Sequence, residues 1–151
     1  MDLLKVLFWS AVPIVEQRGA IPAGIIIYNL DPITVFIISL IGSLLPVPFI
    51  LLLFNKIFSW MKRYKIFAGI NRFIENKINK NSTKMEKYKE IGLIAFIAIP
   101  LPTTGIWTGS AVAAFLNLDT KKSLLCAAIG GIISAIVITI LSLTIPSLLG
   151  Y

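Results

Sequence analysis

A glutamate and an arginine interrupt an otherwise apolar stretch that reads Pro13-Ile14-Val15-Glu16-Gln17-Arg18-Gly19-Ala20-Ile21-Pro22. A charge at the centre of a bilayer costs roughly 2.5–3.5 kcal/mol on insertion scales. Irregular backbone at that depth survives only where it is buried in protein or lines a water-filled cavity. A chain that keeps two charges beside a glycine and between two prolines is therefore predicted to form a broken helix facing a polar cavity, not a simple anchor.

The lipid setting follows from composition. Apolar residues make up 57% of the chain and charged residues 14%, with a mean hydropathy of +0.89. Soluble domains average about 45–50% apolar and about 25% charged. The reading is an all-α integral membrane protein with a single membrane domain, 1–151. Its net charge of +7 is concentrated in one segment, which argues for membrane orientation and against a nucleic-acid partner. Histidine is missing from the sequence and Cys126 is the only cysteine. With no disulfide framework, no metal-ligand cluster and no imidazole base, the expectation is a non-enzyme without cofactor or metal.

Five stretches organise the chain. Leu3–Leu30 is apolar but broken at 16–22. Ile33–Phe54 is long enough to span. Asn55–Glu90 is polar and basic. Ile91–Leu118 is apolar but broken at Pro100-Leu101-Pro102-Thr103-Thr104-Gly105, and Ser123–Pro146 is again a full span. About 20 residues suffice for a crossing. The first two stretches match the last two in order. At an offset of 88, Asn29-Leu30-Asp31 meets Asn117-Leu118-Asp119, Ala23 meets Ala111, and Ile41-Gly42 meets Ile129-Gly130. We read two repeats, 1–54 and 91–151, joined by a basic linker, 55–90.

Charge sets the expected orientation. Ten Lys/Arg against Glu75 and Glu86 lie between Lys56 and Lys89, and such loops stay cytoplasmic. Each broken stretch either spans or dips in and returns on one side. Re-entry fits better. It places Lys121 and Lys122 inside and the Asn29–Pro32 turn, free of Lys and Arg, outside. The repeats are then inverted, each a re-entrant hairpin followed by a spanning helix, as in transporters whose broken helices meet near the midplane. Within the linker, Ile66, Phe67, Ile70, Phe73, Ile74 and Ile78 predict a helix in the headgroup plane, and Asn76–Thr83 a loop. The expected location is a cytoplasmic-type inner membrane, multi-pass.

The breakers supply the candidate site. Glu16 can carry a proton or cation, and Arg18 can grip a carboxylate or phosphate. Gly19 and Pro22 are expected to unwind the backbone around them. In the second breaker, Pro100 and Pro102 end a half-helix. Thr103 or Thr104 can cap the next one. Gly105, Thr108 and Gly109 offer close backbone approach and a further hydroxyl. Amides at such a half-helix N-terminus favour anionic groups. A structural reading stands beside each of these: an internal Glu16–Arg18 ion pair, and small residues that merely pack the hairpins. Trp107 either stacks in the cavity or packs, Trp9 and Trp60 mark interfaces, and Pro46 and Pro48 kink the second span. The run Ala127, Ala128, Gly130, Gly131 and Ala135 predicts close helix packing, within the protomer or across a dimer.

The segment Glu16-Gln17-Arg18-Gly19-Ala20-Ile21-Pro22, followed by Pro100-Leu101-Pro102-Thr103-Thr104-Gly105-Ile106-Trp107-Thr108-Gly109, resembles the small multidrug export protein family over nearly the whole chain. The arrangement is also similar to the DedA superfamily, with its paired re-entrant segments carrying acidic and arginine residues. That likeness implies a lipid-carrier flippase or proton-coupled transporter with Glu16 and Arg18 in the functional core and Pro100–Gly109 opposite. Unlike the DedA pattern, this chain has no arginine between Gly92 and Thr120.

The expectation is thus a small secondary transporter or flippase. Its partners are membrane lipids, a small-molecule or lipid substrate, protons or Na+, and a second copy of the chain. A cation-coupled drug exporter, an ion channel and a non-transport scaffold subunit are the alternatives.

Overall fold

The computed structural model describes residues 1–61, 82–101, 104–116 and 118–148. All regular structure among the described residues is helical. Helix α1 (Asp2–Ala11) stops where Pro13 forces Val12 into extended backbone, φ −80° and ψ 132°. Helix α2 (Glu16–Pro22) begins three residues after Pro13. The first break therefore falls at 12–15, and the expected unwinding at 16–22 is corrected: Glu16, Gly19 and Pro22 all lie in helix. Pro22 cannot donate a ladder bond, yet it does not end the helix. The Ala23 amide bonds back to Ala20 and Gly19, and the chain widens into a π-helical turn, Ala23–Ile27.

Helices α3 (Pro32–Leu44) and α4 (Val47–Met61) follow. The span expected over Ile33–Phe54 is therefore interrupted at Leu45 and Pro46. Pro46 lacks an N–H, and the ring of Pro48 crowds the carbonyl of Leu44. Helix α5 (Ser82–Ala98), helix α6 (Ile106–Phe115) and helix α7 (Thr120–Leu148) complete the order. Helix reaches further into the basic segment than expected, to Met61 on one side and from Ser82 on the other, so Ser82 and Thr83 begin a helix instead of ending a loop. Lys84, Glu86 and Lys87, good helix formers, extend it. The amphipathic pattern over 66–78 lies outside the described residues.

Asp31 and Asp119, each the last residue of a matching Asn-Leu-Asp, cap α3 and α7. Asp31 accepts from the Thr34 amide at 2.9 Å and its hydroxyl at 2.8 Å. Asp119 accepts from the amides of Lys121 at 2.8 Å and Lys122 at 3.2 Å. These are N-cap contacts. Among the described residues, two runs are long and apolar enough to cross a membrane, Pro32–Phe54 and Thr120–Pro146.

Each broken stretch folds back on itself. A Cβ added to Gly24 would touch both Val6 of α1 and Val35 of α3, so the chain after α2 returns alongside α1. Lys5 then sits over the ring of Tyr28, 5.3 Å from its centroid. In the second hairpin a Cβ on Gly109 would meet Ile97, and Lys122 at the start of α7 pairs with Glu90 at 3.0 Å. Both hairpins end beside their own beginning.

The glycines matched at the offset of 88 do the same work. Gly42 brings α3 onto the Leu7 carbonyl and Ser10 of α1, and Gly130 brings α7 onto the Ile94 carbonyl and Ile97 of α5. Gly131 abuts Ile106 and Leu40. These members of the small-residue run thus pack within the protomer. Two apolar clusters result. Val47, Leu51, Leu93, Ile97 and Ile106 belong to one, and Val6, Ile21, Val35, Ala135 and Ile138 to the other. The hairpin tips meet between them.

Candidate functional site

A helix N-terminus leaves its first amides without intrahelical partners and carries the positive end of the helix dipole. The N-terminus of α6 is filled by a carboxylate from the other half of the chain. Glu16 accepts a hydrogen bond from the Trp107 amide at 2.9 Å. It is 4% exposed. The fit leaves no space beside Gly105, where an added Cβ would collide with the Glu16 carboxyl group. Glu16 also holds a positive φ of 47°. A non-glycine residue in that region costs roughly 1–3 kcal/mol, and such outliers concentrate at functional sites.

The contact is returned. The Trp107 indole Nε1–H donates to the carbonyl of Ala11 at 3.2 Å. Ala11 closes α1, so its carbonyl is one of those that a helix end leaves open. Trp107 is therefore a clasp between the tips.

Arg18 takes a different partner from the one its sequence neighbour suggests. Its Nη2 donates to the Thr104 hydroxyl at 3.3 Å. Its Nε has no hydrogen-bond partner among the described residues, and no Glu16–Arg18 pair within 4.0 Å occurs there. The ion-pair reading is corrected: Glu16 and Arg18 both reach across to the second breaker, side by side. Thr104 does not cap α6. Its hydroxyl donates to the Ile99 carbonyl at 2.6 Å and so tightens the turn left open by Pro100. The cap residue is Gly105, whose amide donates to the Thr108 hydroxyl at 2.7 Å.

The structure thus brings together Glu16, Arg18, Thr104, Gly105 and Thr108. Gly109 packs against Ile97, and Gly19 against Val15. Pro22 shapes the π turn at the far end of α2. Pro102 and Thr103 lie outside the described residues.

Gln17 completes the breaker and was not singled out by sequence reasoning. It is 2% exposed. Its Nε2 donates to the Gly131 carbonyl at 3.0 Å, and its Oε1 accepts from the Ser43 hydroxyl at 3.3 Å. The signal was present as a third consecutive polar residue in an apolar run, overshadowed by the charges on either side. Three adjacent side chains of α2 therefore join three places: the α6 N-terminus, the second breaker, and the α3–α7 seam.

Across this region, residues 16–137 match the family described as small multi-drug export proteins. The chain belongs to that family. The matched segment starts at Glu16 and contains both breakers, α3 and most of α7. Membership and the two long apolar helices together make this a membrane protein, and the family's description fits a transporter. No curated protein and no solved structure matches the chain.

Proposed function

We propose that the chain is a small coupled transporter of an anionic or amphipathic substrate, in which Glu16 carries the coupling proton or cation and Arg18 binds the substrate's anionic group. The observation that carries this reading is the Glu16 carboxylate on the Trp107 amide, 2.9 Å away, beside the Arg18–Thr104 contact. A carboxylate at a helix N-terminus occupies the kind of position that also takes substrate carboxylates and phosphates. Protonation removes the charge that holds Glu16 there. The α6 amides and the Arg18 guanidinium then become available to an external anion. Release of the proton returns Glu16 and expels that anion. Binding of proton and substrate are linked because both act on one helix end.

Two re-entrant hairpins in inverted repeats are the architecture that suits this cycle. Support comes from the fold-back at Gly24 and Gly109, the paired close approaches at Gly42 and Gly130, and the shared Asp caps. The Lys122–Glu90 pair supports Lys121 and Lys122 lying on the same side as the basic segment, which the charge rule assigns to the cytoplasm. With two long apolar runs per chain, a homodimer in the cytoplasmic membrane is part of the proposal. The flippase form leans on the DedA-like order of motifs, and the drug-exporter form on the family's description.

Proteoliposomes loaded against a pH gradient test the proposal, with an anionic polyprenyl phosphate and a cationic dye as cargo. Gradient-driven flux that disappears in folded Glu16→Gln supports coupling, and the cargo that moves chooses between flippase and drug exporter. Flux unchanged by Glu16→Gln removes the coupling role. Single-channel currents would favour a channel instead.

A further inference from the structure

Serine and threonine in helices commonly return the hydroxyl proton to a carbonyl one turn earlier. Ser10 does so to Val6 at 2.7 Å, Ser110 to Ile106 at 2.6 Å and Ser142 to Ile138 at 2.8 Å. Ser39, Ser134 and Thr139 depart from this habit, and the two serines are fully buried. Ser39 is 0% exposed and Ser134 1%, and neither hydroxyl has a hydrogen-bond partner among the described residues.

Their positions are related through Gln17. That side chain ties Ser43 of α3 to Gly131 of α7, which fixes one level of the seam between the two helices. Val35 shares an apolar cluster with Ala135 and Ile138, which fixes another. The helices therefore run antiparallel, with the course from Ser43 to Val35 alongside that from Gly131 to Ile138. Ser39 stands one turn from Ser43 and Ser134 one turn from Gly131, in the same direction. Both orphan hydroxyls occupy the level between the Gln17 network and the apolar cluster.

We propose that this level is a buried hydration site, where water bridges Ser39 and Ser134 and extends the Gln17 network along the α3–α7 seam. Water suits the lining better than an ion does. The groups are neutral, each hydroxyl both donates and accepts, and one water supplies two to four hydrogen bonds of either sense. The site places a proton donor and acceptor about one helical turn from the Gln17 contacts at Ser43 and Gly131. Its use in exchanging a proton with Glu16 rests on the coupled-transport reading; the hydration itself does not.

Two measurements on the full chain in lipid vesicles test the site. The first is a double-mutant cycle on thermal stability with Ser39→Ala and Ser134→Ala. A shared water predicts that each single change lowers Tm by about 2–4 °C, and that the pair together lowers it by clearly less than the sum. A rise in Tm for either single change, or strict additivity, overturns the proposal. The second uses Ser39→Cys and Ser134→Cys in a Cys126→Ser background with a small cationic methanethiosulfonate. Thiolate forms only where water reaches, so both are expected to react at least about tenfold faster than Ala135→Cys in the adjoining apolar cluster. Equal rates overturn it. If both results hold while Glu16→Gln leaves flux intact, the hydration site stands and only its link to proton coupling is lost.

Discussion

Glu16 and Trp107 are 91 positions apart, yet the carboxylate of one accepts the backbone amide of the other at 2.9 Å. The contact joins two hairpin tips, fills the N-terminus of α6, and requires a residue without a side chain at position 105. Most of what is specific about the site follows from it.

Gly105→Ala should separate the tips. The new methyl group meets the Glu16 carboxyl, and overpacking of this kind typically costs about 1–3 kcal/mol. Thermal unfolding in detergent should show the loss. The double variant Glu16→Ala/Gly105→Ala should lose less than the sum of the two single variants, because Glu16→Ala has already emptied the space. Strict additivity would place the strain elsewhere.

Gln17→Leu removes both hydrogen bonds that bind α2 to the α3–α7 seam. It leaves the Gly131 carbonyl and the Ser43 hydroxyl without that partner. Ser43 can fall back on the Ser39 carbonyl, 2.9 Å away. The Gly131 carbonyl keeps its ladder bond within α7, so the expected cost is that of one lost hydrogen bond, about 0.5–1.5 kcal/mol. Urea or thermal titration of the purified protein checks it, and a neutral result would mean that the seam closes without Gln17.

Arg18→Lys keeps the charge but loses the planar fork. If Arg18 grips an anionic group, the variant should transport with a KM raised by about tenfold, near the 1.4 kcal/mol of one lost charge-assisted bond, and with unchanged thermal stability. A variant with normal KM and reduced Tm would return Arg18 to a packing role through Thr104.

The Asp31 cap predicts a pH dependence. Hydrogen bonds from the Thr34 amide and hydroxyl hold the Asp31 carboxyl below its ordinary value of 3.8. A folded-state value lower than the unfolded one means that the ionised cap stabilises the fold at pH above the unfolded value. That contribution is lost as pH falls through the folded value. The Tm difference between wild type and Asp31→Ala should thus be constant from neutral pH down to about 4 and shrink below it. A difference that grows on acidification contradicts the capping account.

Much of the fold was legible because its signals are local. Hydropathy marked the long runs, Pro100 marked the end of a half-helix, and the repeated Asn-Leu-Asp marked the turns before α3 and α7. The breaks at 12–15 and 45–46 were misplaced or underweighted for an equally local reason. Pro13 pushes Val12 into extended backbone and so ends α1, whereas Pro22 only widens a helix already begun. Pro46 and Pro48 act as a pair where one would have kinked the span.

The sequence by itself determined that this chain lives in a membrane, that both of its apolar half-chains carry a breaker, and that Glu16, Gln17 and Arg18 stand together beside the first one. Only the tertiary structure decided whom they meet. Glu16 and Arg18 reach the second breaker side by side, yet each makes its hydrogen bond with a partner brought from elsewhere. Those partners, the Trp107 amide and Thr104, arrive because Gly42, Gly109 and Gly130 let helices approach closely. A hydrogen bond spanning 91 positions depends on that packing and leaves no trace in the spacing of residues along the chain.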